Sequence, residues 1–195
     1  MPIDRLRVAV VGGGIGGLAA ANALVRRGAD VTVLEQAAAL GEVGAGVFIY
    51  PNSLRQLERM GLREAMAQVG AKVGEGSEYC RMDGTTVGKI LTTDSNGWNG
   101  VYGMHRADLL RVLADAIPQA VIRTGHRCVA CEQDEAGAHL KFANGTTLDT
   151  DVVVAADGIQ STLQKYVTAP SLPEYSGSRA YRGLLASDKV PWWRK

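Results

Sequence analysis

Gly12, Gly14 and Gly17 stand in the spacing G-x-G-x-x-G, and an acid, Glu35, closes the next apolar run. Each position has a chemical use when the triplet joins a strand to a helix. Gly12 permits the tight turn, Gly14 lets the backbone approach a pyrophosphate, and Gly17 lets helix and strand pack closely. Ile15 and Gly16 open the helix, where unpaired N–H groups and the positive dipole end favour phosphate. Glu35 is placed to accept hydrogen bonds from the hydroxyls of an adenosine ribose. A glycine triplet alone also serves plain chain reversal, so the flanking elements decide its meaning.

Those elements are present. Residues 8–11, VAVV, read as a short buried strand, and the alanine-rich residues 18–24 read as a helix that Gly28 stops. Residues 31–34 give a second strand ending at Glu35. Strand, triplet, helix, strand and acid together read as a dinucleotide site.

The chain beyond it changes character. Pro51 starts one helix and the segment after His105 another, with Leu109, Leu110 and Leu113 on its apolar face. Asp83-Gly84 and Asn144-Gly145 mark hairpin turns. Trp98 reads as a packing anchor in a polar loop. Residues 148–156 form an apolar strand, 152–154 being its most buried part, which ends on Asp157-Gly158. A helix is expected over 161–167 and a further strand from Tyr181. A doubly wound dehydrogenase alternates strand and helix regularly, whereas the middle of this chain is meander-like.

Composition narrows the function classes. With 46% hydrophobic and 21% charged residues, the 195-residue chain has the make-up of a globular protein. A net charge of +1 provides no field for nucleic acid or an acidic membrane surface. No apolar run reaches the roughly 20 residues of a membrane span. No signal peptide is read at the N-terminus, so the expected location is the cytoplasm. The cysteines are three, an odd number that argues against a disulfide framework. Cys128 and Cys131 match C-x-x-C, but they lie in a hairpin pattern whose residues three apart face opposite ways, and no metal site is expected.

In order and spacing these segments resemble the flavin-dependent aromatic hydroxylases of the p-hydroxybenzoate hydroxylase type, especially the salicylate and 6-hydroxynicotinate hydroxylase-like members. VAVVGGGIGGLAAANAL is similar to that family's N-terminal FAD fingerprint, and VTVLEQ to the strand whose acid binds the ribose. GAGVFIYPNSLRQLERMGL resembles the segment whose backbone, here near Gly46 and Val47, lies beside the flavin. HRADLL resembles the helix start whose arginine, here Arg106, reaches the flavin side of the cofactor. VVVAADGIQS resembles the Asp-Gly motif, which implies that Asp157 supports the pyrophosphate. Cys128 would then contact the adenine through backbone groups.

The resemblance implies an α/β fold: a Rossmann-like FAD/NAD(P)-binding βαβ domain with a β-meander, and the beginning of a substrate-domain sheet. Residues 1–74 and 101–167 would form the FAD-binding domain, and 75–100 and 168–195 an incomplete substrate-binding domain. It also implies FAD as cofactor, NAD(P)H as co-substrate and a small aromatic substrate. Three positions depart from the family pattern: Ala155 for a glycine, Gln164 for an arginine, and Phe48 where some relatives place a polar residue. Relatives are about twice as long, more than one average domain, and their Gly-Asp segment for the ribityl chain has no match here. The expectation is therefore the N-terminal half of an aromatic-ring hydroxylating monooxygenase. A non-catalytic nucleotide-binding module is the alternative. An NAD(P)-dependent dehydrogenase is weaker, since Glu35 repels a 2′-phosphate.

Overall fold

The computed structural model describes residues 6–41, 46–73, 77–95, 97, 99–169, 171–179, 186 and 189. Trp98 and the strand expected at Tyr181, Arg182 and Gly183 lie outside these residues.

The chain opens with β1 (Arg7–Val11), α1 (Ile15–Val25) and β2 (Asp30–Leu34), followed by β3 (Gly46–Ile49), α2 (Pro51–Arg59) and α3 (Arg63–Val69). Short strands β4 (Gly70–Lys72), β5 (Glu78–Cys80), β6 (Thr86–Lys89) and β7 (Tyr102–His105) lead into α4 (Arg106–Asp115). Then come β8 (Ile122–Arg123), β9 (Cys128–Asp134), β10 (Gly137–Phe142), β11 (Thr147–Thr150) and β12 (Val152–Ala155). The expected hairpin turns hold: Gly84 and Gly145 both take positive φ, 85° and 84°.

A parallel sheet in the order β12-β1-β2-β8 forms the centre, with the antiparallel meander β11-β10-β9 beside it. A third sheet, β3-β7-β4, and the hairpin β5-β6 complete the β structure among the described residues. Side-chain alternation along β1 shows how the layers stack. Val8 and Val10 enter a core shared with Leu18 of α1 and Leu109 and Leu113 of α4. Ala9 and Val11 point the other way, into a second core with Leu140, Phe142 and Leu163. The parallel sheet is thus covered by helices on one face and by the meander on the other, as parallel sheets require. This is the Rossmann-like α/β architecture that the sequence pattern implied.

Asn22 ties the helical layer together. It is fully buried, and its Nδ2 donates to Leu18 O of its own helix at 2.9 Å and to Leu113 O of α4 at 2.8 Å. In an alanine-rich sequence this cross-helix bond is invisible until the helices meet.

Three expectations need correcting. The strand read over 148–156 is two strands, because Asp151 separates β11, which joins the meander, from β12, which joins β1. Residues 152–154 are not its most buried part: β12 lies at a sheet edge, and Val152 is 41% exposed. Over 161–167 there is only a single 3₁₀ turn, Gln164–Tyr166.

The break at Asp151 is a clasp. The Arg7 backbone N–H donates to Asp151 Oδ2 at 2.8 Å, and Arg7 Nε donates to Oδ1 at 3.1 Å. These bonds to Arg7 hold the Asp151 carboxyl below its ordinary value of 3.8. A carboxylate with a lowered folded pKa stabilises the fold above its unfolded pKa, and the contribution is lost as pH falls through the folded value. Asp151→Asn is therefore expected to lower the melting temperature at neutral pH, with the gap to wild type closing on acidification. Equal melting temperatures at neutral pH would show that the clasp carries no stability.

Candidate functional site

The C-terminal ends of β1, β2 and β12 open on one cleft of about 240 Å³. A crevice outside the carboxyl ends of parallel strands is where such sheets place ligands. Gly12, Gly13 and Gly14 form one wall, Glu35 and Ala37 another, and His126, Cys128 and Asp157 enclose it further.

The three motif glycines have different structural reasons. Gly12 has φ 112°, and a Cβ there would lie 2.2 Å from Ala156 O. A Cβ on Gly17 would lie 1.8 Å from Gly12 O. Those two are required by the turn and by the approach of α1 to β1. Gly14 is different: its φ of −74° and ψ of −178° suit any residue, and a Cβ would meet nothing within 4 Å. Gly16, in the first turn of α1, is equally open. Neither packing nor backbone conformation explains glycine at 14, yet its missing side chain leaves the cleft wall flat. That is the shape a pyrophosphate needs to reach backbone N–H groups.

Glu35 is fixed rather than free to swing. Its Oε2 accepts from the Gly13 N–H at 2.7 Å and its Oε1 from the Ala37 N–H at 2.8 Å. Each carboxylate oxygen has a second lone pair direction left for a ligand hydroxyl. The Glu35 N–H donates to Arg123 O at 2.9 Å and its carbonyl accepts from the His126 N–H at 2.8 Å, so the β8–β9 connection is laced to the acid.

Asp157 lines the cleft, but its carboxylate serves its own loop. Oδ1 accepts from Ser161 Oγ at 2.6 Å, and Oδ2 accepts from the Thr162 and Leu163 N–H groups at 2.7 and 3.1 Å. Ser161 Oγ in turn accepts from the Leu163 and Gln164 N–H groups. These successive caps shape the segment that follows Asp157. The D-x-x-x-S spacing is a turn signal legible in the sequence through the tendency of Asp and Ser to bond backbone N–H groups ahead of them.

Cys128 is buried in the wall, and burial first, then the nearby Cys131, pushes its thiol pKa up. Its hairpin is as expected, but the facing of the two cysteines is not. A bulge pairs Phe142 with Cys128 and the adjacent Lys141 with Ala130, leaving Val129 over. The bulge resets the alternation, so Cys128 and Cys131 both join the face of Leu140 and Phe142. Both are free thiols, and burial raises the pKa of each.

Of the remaining expected residues, Gly46, Val47 and Arg106 lie near one another at the β3–β7 pair. Gly46 pairs with His105 and Val47 with Met104 across β3–β7. Arg106, the next residue, opens α4. Leu110 of α4 lines the cleft, and residues four apart share a helix face, so Arg106 lies one turn from the cleft on that face. Ile15 lines a separate apolar hollow with Leu109 and Ile49. Gly13, Ala37, Leu40 and His126 also line the cleft and were not anticipated. Gly13 and Ala37 follow from their neighbours in sequence, whereas only folding brings His126 there.

A parallel sheet, a glycine turn with one wall left flat, and an acid at the end of the second strand define a Rossmann-like nucleotide-binding fold. The chain belongs to the family described as FAD binding domain, whose match spans residues 5–186. It is 37% identical over 191 residues to a 3-amino-4-hydroxybenzoate 2-monooxygenase, PtmB3, of Streptomyces platensis, covering 96% of this chain and 48% of that protein. It is 36% identical to a salicylate hydroxylase of Pseudomonas putida, covering 93% of this chain and 44% of that one. Among solved structures, a variant of HpxO from Klebsiella pneumoniae complexed with FAD superposes with a TM-score of 0.68 at 25% identity, covering 83% of this chain and 42% of that one. The chain spans about half the length of the curated relatives it matches.

Proposed function

We propose that this chain is the FAD-holding part of an NAD(P)H-dependent monooxygenase that hydroxylates a small aromatic ring in the cytoplasm. The observation that carries the reading is Gly14, a glycine the fold does not need, flat against the cleft between the α1 N-terminus and Glu35. FAD, when bound, supplies electron transfer from NAD(P)H to oxygen and hydroxylation of the ring. The residues of this chain bind and orient it. Gly12 and Gly14, with the first N–H groups of α1 at Ile15 and Gly16, hold the pyrophosphate, while Gly17 keeps α1 close enough for them to do so. Glu35 accepts from the adenosine ribose, and the carboxylate repels a 2′-phosphate. Cys128 closes the adenine end through its backbone. Gly46, Val47 and Arg106 extend the site toward the flavin ring. Asp157 acts through its capped loop, which holds its backbone beside the pyrophosphate wall. Residues 1–74 and 101–167 form the FAD-binding domain in this reading, and 75–100 with 168–195 belong to a substrate domain.

A second reading, a nucleotide-binding module without turnover, is favoured by the family match itself, which describes a binding domain. One experiment separates the two. The purified chain reconstituted with FAD is expected to show flavin absorbance near one equivalent, and a panel of hydroxylated benzoates and pyridines to stimulate its NAD(P)H oxidation. Bound flavin with no stimulation by any member supports the module. A protein that takes up no flavin sinks the first reading for this chain and leaves the module.

A further inference from the structure

We infer that His126 selects adenine at this site, its imidazole Nε2 accepting a hydrogen bond from the exocyclic amino group of the base. The inference rests on the nucleotide reading above. It follows from the order of groups along the cleft. Pyrophosphate at Gly12–Gly14 and ribose at Glu35 leave the base for the stretch beyond Glu35, where Ala37, His126 and Cys128 form the wall.

His126 is held there on three sides. Its backbone N–H donates to Glu35 O at 2.8 Å, which fixes its position relative to the ribose-binding acid. Its ring meets Phe142 edge-on, with centroids 5.4 Å apart and planes at 78°. Its Nδ1 lies 2.7 Å from Thr124 O. A carbonyl oxygen only accepts, so Nδ1 carries the proton, and in the neutral ring Nε2 is then a lone-pair acceptor. An acceptor of fixed position reads the amino donor of adenine and rejects the carbonyl of hypoxanthine or guanine at the same corner. Gln36, a polar residue that also lines the cleft, offers donor or acceptor by turning its amide and reads neither.

The test uses ADP and inosine diphosphate as probes of the full chain, by calorimetry in mildly alkaline buffer. Wild type is expected to bind ADP about tenfold more tightly, the effect of one hydrogen bond against an unpaired acceptor. His126→Phe keeps an aromatic ring against Phe142 and is expected to bring the ratio close to one. His126→Gln, whose amide turns to offer donor or acceptor, is expected to lose the preference as well. The ratio cancels any general loss of affinity in a variant. ADP binding with no preference in wild type, or a preserved preference in the Phe or the Gln variant, overturns the role of Nε2 while the functional reading stands. Failure of wild type to bind ADP overturns both.

Discussion

Gly17→Ala is expected to unfold the protein or leave it barely folded. The added methyl carbon would sit 1.8 Å from Gly12 O and 3.0 Å from Gly12 C, both backbone atoms that no rotamer change can move. Gly12 has no room to retreat, because its own Cβ direction already points at Ala156 O, 2.2 Å away. The turn after β1, the start of α1 and the end of β12 are therefore interlocked without a methyl's width between them. Relief requires α1 to lift from the sheet, which opens the core around Leu18 and Ala21, both fully buried. Overpacking alone costs about 1–3 kcal/mol and sometimes more, and the loosened helix adds part of the burial of Leu18, about 1.5–3 kcal/mol. Against a domain stability of about 5–15 kcal/mol, a loss of about 3 kcal/mol or more is expected in urea unfolding. Gly16→Ala is the control, since a Cβ there meets nothing. Its unfolding midpoint should stay level or rise slightly, because alanine is the better helix former. Should Gly17→Ala unfold at the wild-type midpoint, the close approach of α1 to β1 is not what the glycine is for.

The contrast between Gly17 and Gly16 shows what a sequence can carry. The motif spacing places both in one turn, and the βαβ frame around them is legible because the apolar run of β1, the Gly28 stop and the acid after β2 are all local. The same holds for Asp83-Gly84 and Asn144-Gly145, whose turns need φ above zero and little else. Where the local pattern misleads, neighbours far along the chain decide. Val152 looks like core by composition, but its strand occupies a sheet edge. Cys128 and Cys131 should alternate, and a bulge whose partners lie on β10 puts them on one face. The strands β4 and β7 escape a periodicity reading because each has only three or four residues, glycine among them. His126 had no local signal at all: hydrogen bonds from the β8–β9 connection to residues 35 and 37 bring it to the cleft. Asp157 lines the cleft while its carboxylate bonds lie within its own loop, a preference for local N–H groups that the Asp and Ser side chains already announce.

Gly14→Val is expected to abolish nucleotide binding and leave the fold standing, the reverse of Gly17→Ala. Residue 14 is the N-cap of α1 with extended backbone, and it makes no side-chain cap bond that a substitution would remove. Valine in place of glycine at an N-cap costs up to about 1 kcal/mol, and no atom lies within 4 Å of its Cβ to resist it. The melting temperature should therefore change little. The two methyl groups fill the flat part of the wall instead, and keep a pyrophosphate away from the N–H groups at the start of α1. Hydrogen bonds to a charged oxygen contribute about 1.5–3 kcal/mol each, so losing two weakens ADP binding by at least about a hundredfold. Calorimetric titration with ADP and a thermal melt on the same sample measure both halves of the claim. Unchanged ADP affinity would remove the pyrophosphate from this wall. Loss of the fold together with binding would make Gly14 a packing glycine like Gly12 and Gly17. The expected split, binding gone and melting retained, is what separates a glycine kept for a guest from a glycine kept for the backbone.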